Sequence, residues 1–456
     1  MKFRQLLCIL LCALCLLLAA CQPTQPVEPD QPDPGPSEQE PGDQPGDQPG
    51  DQEPEETPYL TPVLRVVTEN SAEIVSKEEY VNAQVTLTDS EGTRTLDGVT
   101  AGIRGRGNYT WTLEKKGYRI KFDKKQAMLS DYKCKSWALL PNLTDKTLLR
   151  NYLAFSLAKR FDGLGWSSSV NLVELYLNGE YLGVYLLCDQ TQVNENRLNI
   201  EEGSFEADTG YLIERDHYAL GDESMVEGRD YFTLPDAQFG RIPYVLKSPE
   251  APVREDFADD ASYQAAAQAY GAQFSFIQDY ITRVYEAIHS GDYQTFLSLC
   301  DAESFADYFL LDQILGNYEI ARFSSFYMYR DKGGKLKLGP VWDYDICGGY
   351  GFPNPKLLIM ESDWFLALYQ VPEFRALYCS RFRTYYPRVL EELDKLDAVR
   401  DANAEAIARN NAVWPVETYI YPMTDIMKSF TTYEQHYEYF KDYVRARCDF
   451  LKRNLD

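Results

Sequence analysis

The feature that most constrains the fold of this chain is a change in the spacing of its apolar residues near residue 202. Before that point, β-branched and aromatic residues form short runs that are typical of strands. The predicted strands are Ala83–Leu87, Gly117–Phe122, Ser169–Leu177 and Tyr181–Cys188. Asn178-Gly179 separates the last two runs and is a strong hairpin signal. Apolar residues at helical spacing predict one helix among these strands, Asp145–Phe161.

The second part of the chain is mainly helical. Its apolar residues recur at helical spacing over residues 254–315 and 361–456. The clearest predicted helices are Tyr270–His289, Ser304–Leu315, Phe374–Leu390 and Tyr433–Leu451. A short β-rich segment, Ser325–Gly339, interrupts them. Residues 203–253 show no clear period, and we expect a long irregular connection there.

These two patterns predict an α+β fold, because runs of strands and runs of helices are separated along the chain. We expect residues 59–456 to form one domain with two lobes. The strand-rich N-terminal lobe would comprise residues 59–202, and the helix-rich C-terminal lobe would lie within residues 203–456.

The N-terminal segment resembles a bacterial lipoprotein leader. Residues 1–21 contain Lys2 and Arg4, then an apolar stretch that is too short to span a bilayer comfortably, and end in Leu-Ala-Ala-Cys. Cys21 is therefore the predicted lipidation site. Residues 22–58 hold 11 of the 24 prolines and 11 acidic residues, with no Lys or Arg. This composition predicts a disordered tether.

The charge balance and the cysteines exclude some classes of site. Acidic side chains outnumber basic ones 70 to 45, so binding to nucleic acid, which needs clustered Lys and Arg, is not expected. Six cysteines follow the leader: Cys134, Cys188, Cys300, Cys347, Cys379 and Cys448. They form no C-x-x-C pair, so structural zinc is not predicted, and both disulfides and buried thiols fit the pattern. The three histidines are too scattered for a catalytic triad, and we expect His289 and His436 on helix surfaces.

Two basic motifs in the first part suggest phosphate binding. Arg104-Gly105-Arg106-Gly107 combines forked guanidinium donors with glycines that allow the backbone to approach a ligand. In the following KKGYRIKF segment, Arg119 and Lys121 lie on one face of a strand, because alternate residues share a face. Taken singly, each motif also fits a turn or strand face with solvated cations.

The acidic candidates lie in the second part. Asp343 and Asp345, in the GPVWDYD segment, are two residues apart at a strand end, a pattern that suits a hard cation such as Mg²⁺. Asn317 and Glu319 follow a predicted helix and add a potential metal ligand and a potential base. Phosphate-binding loop, strand lysine, helix, hairpin, Asn with an acid, and a terminal Asp follow one another in the functional order of a protein kinase, although no H-R-D or D-F-G motif is present.

Six motifs in order resemble those of the CotH family, atypical kinases first known from bacterial spore coats. The motifs are RGRGNYTW, KKGYRIKF, DKTLLRN, LYLNGEYLGVYLLCDQ, GYLIERD and GPVWDYD, and they span roughly residues 65–352. The resemblance implies a divergent protein-kinase-like bilobal fold. It also implies phosphorylation of protein Ser or Thr with ATP and a divalent metal, Mg²⁺ or Mn²⁺.

The resemblance also implies roles for the residues that match its motifs. The implied nucleotide-binding residues are Arg104, Gly105, Arg106, Gly107, Lys121, Arg150 and Gln190. Asp145 would support the site from the helix beside Arg150, and Asp189 would lie with Gln190 near the adenine. The implied metal ligands are Asp343, Asp345 and Asn317, and the implied catalytic residues are Lys121, Glu319 and Asp343. Glu214 and Asp216 match family positions without an assigned role.

Three interpretations follow from the sequence. The first is a phosphotransferase acting on a surface or envelope protein, with a nucleotide and an unknown protein acceptor as partners and contact with the membrane through the lipid anchor only. The second is a weak or inactive kinase-like lipoprotein that binds a cell-wall, glycan or protein partner. It is suggested by Glu319, which stands where the family often has Asp and carries one more methylene. The third is a metal-dependent hydrolase, which leaves the arginine motif without a role.

Overall fold

The computed structural model describes residues 61–203, 205–317, 324–351, 356–358 and 362–455. The predicted leader with Cys21, the predicted tether and Glu319 lie outside these ranges.

The strands of the first part close into a seven-stranded barrel. They are β1 (Val63–Thr68), β2 (Val81–Thr88), β3 (Arg94–Arg106), β4 (Gly117–Gln126), β5 (Cys134–Leu140), β6 (Val170–Leu177) and β7 (Glu180–Asp189). Their order around the barrel is β1-β2-β3-β4-β5-β7-β6, and parallel pairing of β1 with β6 closes it. Apolar side chains from alternate strand positions fill the interior, among them Val85, Ile103 and Trp137. The four predicted strands of this part are confirmed.

The predicted hairpin turn is also confirmed. Asn178 and Gly179 have φ values of 52° and 86°, the left-handed conformation that a two-residue hairpin turn needs at both positions. The Asn178 side chain has a second role, because its Oδ1 accepts a hydrogen bond from the Thr68 backbone N–H at 2.8 Å. The turn between β6 and β7 is thereby fixed to the end of β1.

The expectation of an irregular connection at residues 203–253 is wrong. Three strands lie there, and they form a five-stranded antiparallel sheet with two strands of the predicted β-rich segment Ser325–Gly339. The strands are β8 (Tyr211–Arg215), β9 (Tyr231–Asp236), β10 (Gly240–Ser248), β11 (Phe326–Arg330) and β12 (Lys337–Leu338). All five residues of β8 are buried, so the strand lacks the alternation of apolar and polar residues by which strands are recognised.

The helices of the second part are confirmed in place and type. The helices of the described residues are α1 (Tyr109–Thr112), α2 (Arg150–Ala158), α3 (Asp260–Ser290), α4 (Tyr293–Leu299), α5 (Ala302–Leu315), α6 (Asp363–Gln370), α7 (Pro372–Ala402), α8 (Ala404–Val413), α9 (Asp425–Lys428) and α10 (Tyr433–Leu455). Helix α5 lies at the centre, where every residue except Glu303 is buried. None of the helices described has an apolar stretch long enough to cross a bilayer.

A second apolar core lies between the helices and the five-stranded sheet. Its centre is aromatic: Trp364 stacks on Phe305 and meets Phe326 edge to face. His436 is 1% exposed and meets Phe430 edge to face, so its expected place on a helix surface is wrong. Five of the six cysteines, all except Cys379, are buried as thiols. The α+β content is confirmed, whereas the kinase-like bilobal arrangement stays a prediction.

Candidate functional site

One large cavity collects most of the residues that the motifs single out. Its volume is about 1150 Å³, slightly above the range of about 300–1,000 Å³ that is usual for small-molecule sites. The end of β3 and the start of β4 form one side, and β8, β10 and the segment after β12 form the other. Residues from the two halves of the sequence therefore face one space.

The barrel contributes three cations, Arg104, Arg106 and Arg119, which we call the arginine edge. Arg104 of β3 lies directly opposite Arg119 of β4 in the ladder, so their side chains leave the same barrel face. Burial is the main reason that the pKa of Arg119 is lowered, and the charges of Arg104 and Arg106 act in the same direction. Three like charges held together attract an anion.

The arginine edge is incompletely paired. The Nε atoms of Arg104 and Arg119 are buried, and neither has a hydrogen-bond partner among the described residues. Arg104 reaches Glu78 at 3.5 Å, a side chain that is 85% exposed, and Arg119 donates to the Ser136 hydroxyl at 3.3 Å. Buried donors without partners are uncommon, and phosphate oxygens are suitable acceptors for them. The residues present therefore fit a nucleotide phosphate.

The glycines of the motif are needed for packing and for a turn. A Cβ on Gly105 would lie 2.3 Å from the Trp111 ring, so glycine lets that ring lie against the strand. Gly107 has a φ of 94° and leads the chain from β3 into α1. Both residues line the cavity, but Arg104–Arg106 end a strand, and the expected phosphate-side loop begins only at Gly107.

Lys121 is not brought into the cavity. It is exposed on β4, opposite Gly102, and its Nζ lies 5.8 Å from the centre of the Tyr80 ring. The lining residue on this face is Arg119, two positions earlier. Period-two alternation correctly put both side chains on one face, but only the side chain nearer the strand start reaches the site. Lys121 is therefore not among the residues that line the cavity with Asp343, and its predicted role stays a prediction.

Asp343 and Asp345 both line the cavity, as expected. Asp343 has a φ of 65°, a conformation that Asp tolerates better than most residues, and its Oδ2 accepts from the Ser325 hydroxyl at 3.2 Å. Asp345 accepts a hydrogen bond from the Thr144 hydroxyl. Burial raises the pKa of Asp343, and the Arg106 guanidinium opposes that shift. Arg106 thus reaches across the cavity, with its guanidinium 5.1 Å from the Trp342 ring centre.

The two carboxylates fit a divalent cation that arrives with a nucleotide. Asp343 and Asp345 are within hydrogen-bond reach of each other, and adjacent carboxylates need a cation or a shared proton. Among the residues described, no group of three or more His, Cys, Asp or Glu side chains is placed to hold a metal ion. Mg²⁺ commonly uses only one or two carboxylates together with substrate phosphates and water, so the pair suffices for that mode.

Glu214 and Asp216 of the GYLIERD motif lie on the same side of the cavity as Asp343. Burial and the neighbouring Glu214 raise the pKa of Asp216 to about 6. Asp216 also accepts from the Tyr218 backbone N–H at 3.0 Å and so caps the short 3-10 turn that follows β8. Glu214 pairs with Lys247, whose Nζ lies 3.2 Å from its Oε2.

Arg150, which the family resemblance assigned to nucleotide binding, is fully buried and does not line the cavity. Its guanidinium donates to Asp145 at 2.5 Å, to the Cys347 carbonyl at 2.8 Å and to the Gly348 carbonyl at 3.3 Å. We call Arg150, Asp145 and these two carbonyls the arginine clamp. It ties the start of α2 to the segment that follows Asp345. The support predicted for Asp145 and Arg150 is present, and direct ligand contact by Arg150 is not.

Of the remaining predicted residues, some line the cavity and others do not. Gln190 lines the cavity, whereas its neighbour Asp189 is buried and accepts from Arg197 Nε at 2.7 Å. Asn317 does not line the cavity, and its Nδ2 donates to Asp312 Oδ1 at 3.3 Å. Its role as a metal ligand therefore has no support in this geometry.

Sequence reasoning missed Lys247 and Tyr327, which also line the cavity. Lys247 lies in the segment that was expected to be irregular. The direction of its side chain could therefore not be predicted from strand alternation. Tyr327 lies in a β11 strand whose five residues are all buried. Tyr327 differs from a core residue only in that it lines the cavity, which the sequence pattern does not show.

Comparison with protein families gives a match over most of the chain. The family model described as CotH kinase protein matches residues 103–451, well over half of the chain. No curated protein matches the chain.

Proposed function

Because the chain belongs to the CotH kinase protein family, we propose that it transfers the terminal phosphoryl group of ATP to a protein Ser or Thr hydroxyl. The observation that carries the proposal is the shared cavity, in which the arginine edge from the barrel faces Asp343 and Asp345. Phosphoryl transfer depends mainly on positioning and charge neutralisation, and both kinds of charge are present. A hydrolase without nucleotide would leave the arginine edge without a role.

In this proposal the chain's own residues hold the substrate. Arg104, Arg106 and Arg119 would donate to phosphate oxygens, and Gln190 would lie nearer the base. Asp343 and Asp345 would hold Mg²⁺ or Mn²⁺, which when bound supplies neutralisation of phosphate charge. Glu319, which lies outside the described residues, would accept the proton of the acceptor hydroxyl. That role rests on its position in the motif alone.

The test is phosphoryl transfer from radiolabelled ATP by the full chain. Asp343→Asn should lower the rate at least 100-fold, because the substitution removes a charge that would hold the metal. The matched control is Asp425→Asn, since the Asp425 side chain is 97% exposed and, among the residues that the structure describes, pairs with Lys428 in its own short helix. Transfer that continues at the wild-type rate in Asp343→Asn would reject the proposal.

A binding assay separates the kinase from a kinase-like binding protein. A ligand that binds only the native state raises its stability. We therefore expect millimolar MgATP to raise the melting temperature of the wild-type chain and to have a smaller effect on Asp343→Asn. If MgATP has no effect on the wild type, the chain is better described as a surface protein that binds a cell-wall, glycan or protein partner.

We also propose that the protein is anchored in the bacterial envelope through a lipid on Cys21, outside the cytoplasmic membrane. The support is the leader pattern in residues 1–21 and the acidic, proline-rich stretch after it. Metabolic labelling with an alkyne fatty acid should mark the wild-type chain and not Cys21→Ser. Equal labelling of both would remove Cys21 as the anchor.

A further inference from the structure

Two lysines outside the sequence motifs line the cavity, Lys77 and Lys247. Lys77 lies between β1 and β2 and donates to the Asn108 amide oxygen at 3.4 Å, whereas Lys247 is held by a carboxylate. Lys247 lies near the end of β10, where the pairing of β10 with β8 shifts register between Leu246 and Ser248. A residue in such a bulge is released from the regular alternation of faces, and bulges often redirect a side chain towards a site. Lys247 lines the cavity and is 37% exposed there.

Its partner is a buried carboxylate in the centre of the sheet. Glu214 of β8 is 7% exposed and lies between Val245 of β10 and Tyr327 of β11 in the ladder. Burial, and then the Glu214 charge, raise the pKa of the Tyr327 hydroxyl. The Glu214 charge is the largest cause of a raised pKa at Lys247. A carboxylate this deeply buried needs a cation, so the pair holds Lys247 charged and in a fixed direction.

Among the described residues, the one ion pair of the Lys247 ammonium group is with Glu214. Lysine carries three N–H donors, and Glu214 is the carboxylate that it pairs with at 3.2 Å. Glu214 is also close enough to raise the pKa of Asp343. Lys247 therefore lines the same cavity as Asp343, Asp345 and the arginine edge, beside Glu214.

We propose that Lys247, oriented by Glu214, is the lysine that contacts the nucleotide phosphates, in the role that the sequence assigned to Lys121. The inference rests on the proposed nucleotide-binding function and adds a residue to it. Lys247 would touch the ligand, and Glu214 would be a positioning residue. The two lysines are distinguished by location, since Lys247 lines the cavity and Lys121 is exposed on β4 beside Tyr80.

The test compares two lysine variants of the full chain by titration calorimetry with MgATP and with adenosine. Lys247→Met should weaken MgATP binding at least tenfold and leave adenosine binding within twofold, because adenosine has no phosphate. Lys121→Met, the matched control, should bind both ligands like the wild type. Lys247→Arg should recover part of the MgATP affinity, since it keeps the charge.

The positioning role of Glu214 needs a separate readout. Glu214→Gln should weaken MgATP binding severalfold and leave adenosine binding unchanged, and Glu214→Asp should recover part of the loss. Melting curves without ligand identify a variant that fails to fold. In that case the Lys247→Arg and Glu214→Asp comparisons decide the question, because both keep the charge.

The outcomes separate this inference from the proposed function. If the wild type binds MgATP and Lys121→Met loses that binding while Lys247→Met keeps it, the inference is overturned and the proposed function stands. If Lys247→Met weakens MgATP and adenosine equally, Lys247 is a structural residue and the inference also fails. If the wild type binds no MgATP, the proposed function fails first.

Discussion

Two sites of this molecule that are built on arginine differ in how their guanidinium groups are paired. In the arginine clamp, Arg150 and Asp145 are fully buried, and the guanidinium is satisfied by a carboxylate and two backbone carbonyls. In the arginine edge, Arg104 and Arg119 have buried Nε atoms without a partner among the residues described. Satisfied buried charges contribute to the integrity of the fold, whereas unsatisfied donors beside a cavity are available to a ligand. The type of residue alone does not distinguish the two roles.

The largest effect is expected in the clamp. Arg150→Met leaves Asp145 buried without its cation, so it should destabilise the protein by about 3–5 kcal/mol. Chemical denaturation followed by circular dichroism measures this. The control is Arg94→Met, because Arg94 and its partner Asp97 are both more than 65% exposed, and exposed pairs contribute little. Equal stability of the two variants would contradict the assignment of Arg150 to the clamp.

The next largest effect is a pH dependence of stability that comes from His436, close to the arginine clamp. Burial, and then the charges of Arg150 and Lys146, lower the pKa of His436 to about 4. The unfolded chain, in which the group titrates near 6.5, therefore binds the proton more readily. The contribution of His436 to stability is complete above about pH 6.5 and is lost as the pH falls towards 4, by at most about 3 kcal/mol.

His436→Gln should remove this part of the acid sensitivity, which unfolding curves at pH 7 and pH 4.5 would show. His289→Gln should not remove it, because His289 lies 3.6 Å from the Asp363 carboxylate, which favours the charged ring. An unchanged acid loss in His436→Gln would show that other groups carry it.

A smaller effect on stability is expected at Gly105, between Arg104 and Arg106 of the arginine edge. Gly105→Ala places a Cβ 2.3 Å from the Trp111 ring. Overpacking of this kind typically lowers the free energy of unfolding by about 1–3 kcal/mol. Thermal melting measures the loss. Gly271→Ala in α3 is the control, since its new Cβ meets nothing within 4 Å, and alanine favours a helix. Equal melting temperatures for the two variants would mean that Trp111 moves aside without cost.

The smallest effect on stability is expected at the arginine edge itself. Arg119→Met removes one of three neighbouring like charges, so the melting temperature should stay the same or rise. MgATP binding should weaken about tenfold, which corresponds to about 1.4 kcal/mol. Calorimetry and melting curves on one preparation separate these quantities. A large fall in stability with unchanged MgATP affinity would show that Arg119 stabilises the fold, as Arg150 does, and does not contact the ligand.

Local patterns in the sequence were sufficient where the side chains obey the period of one element. The hairpin at Asn178-Gly179 and the helices of the second part were predicted correctly, because turn chemistry and helical spacing act over short distances. Local patterns were insufficient for β8. All five of its residues are buried, so apolar and polar residues do not alternate along it. Helix α2 begins at Arg150 rather than Asp145 because the Asp145 carboxylate accepts the backbone N–H groups of Thr147 and Arg150.

The sequence by itself determined the family, the order of basic and acidic motifs and the face of β4 that carries Arg119 and Lys121. Only the tertiary structure decided which of those two side chains reaches the cavity, that Arg150 belongs to the clamp, and that Lys247 faces the site from a bulge. The physical reason is that strand alternation fixes a direction within one element. Contact with a ligand depends on which other elements pack against that face.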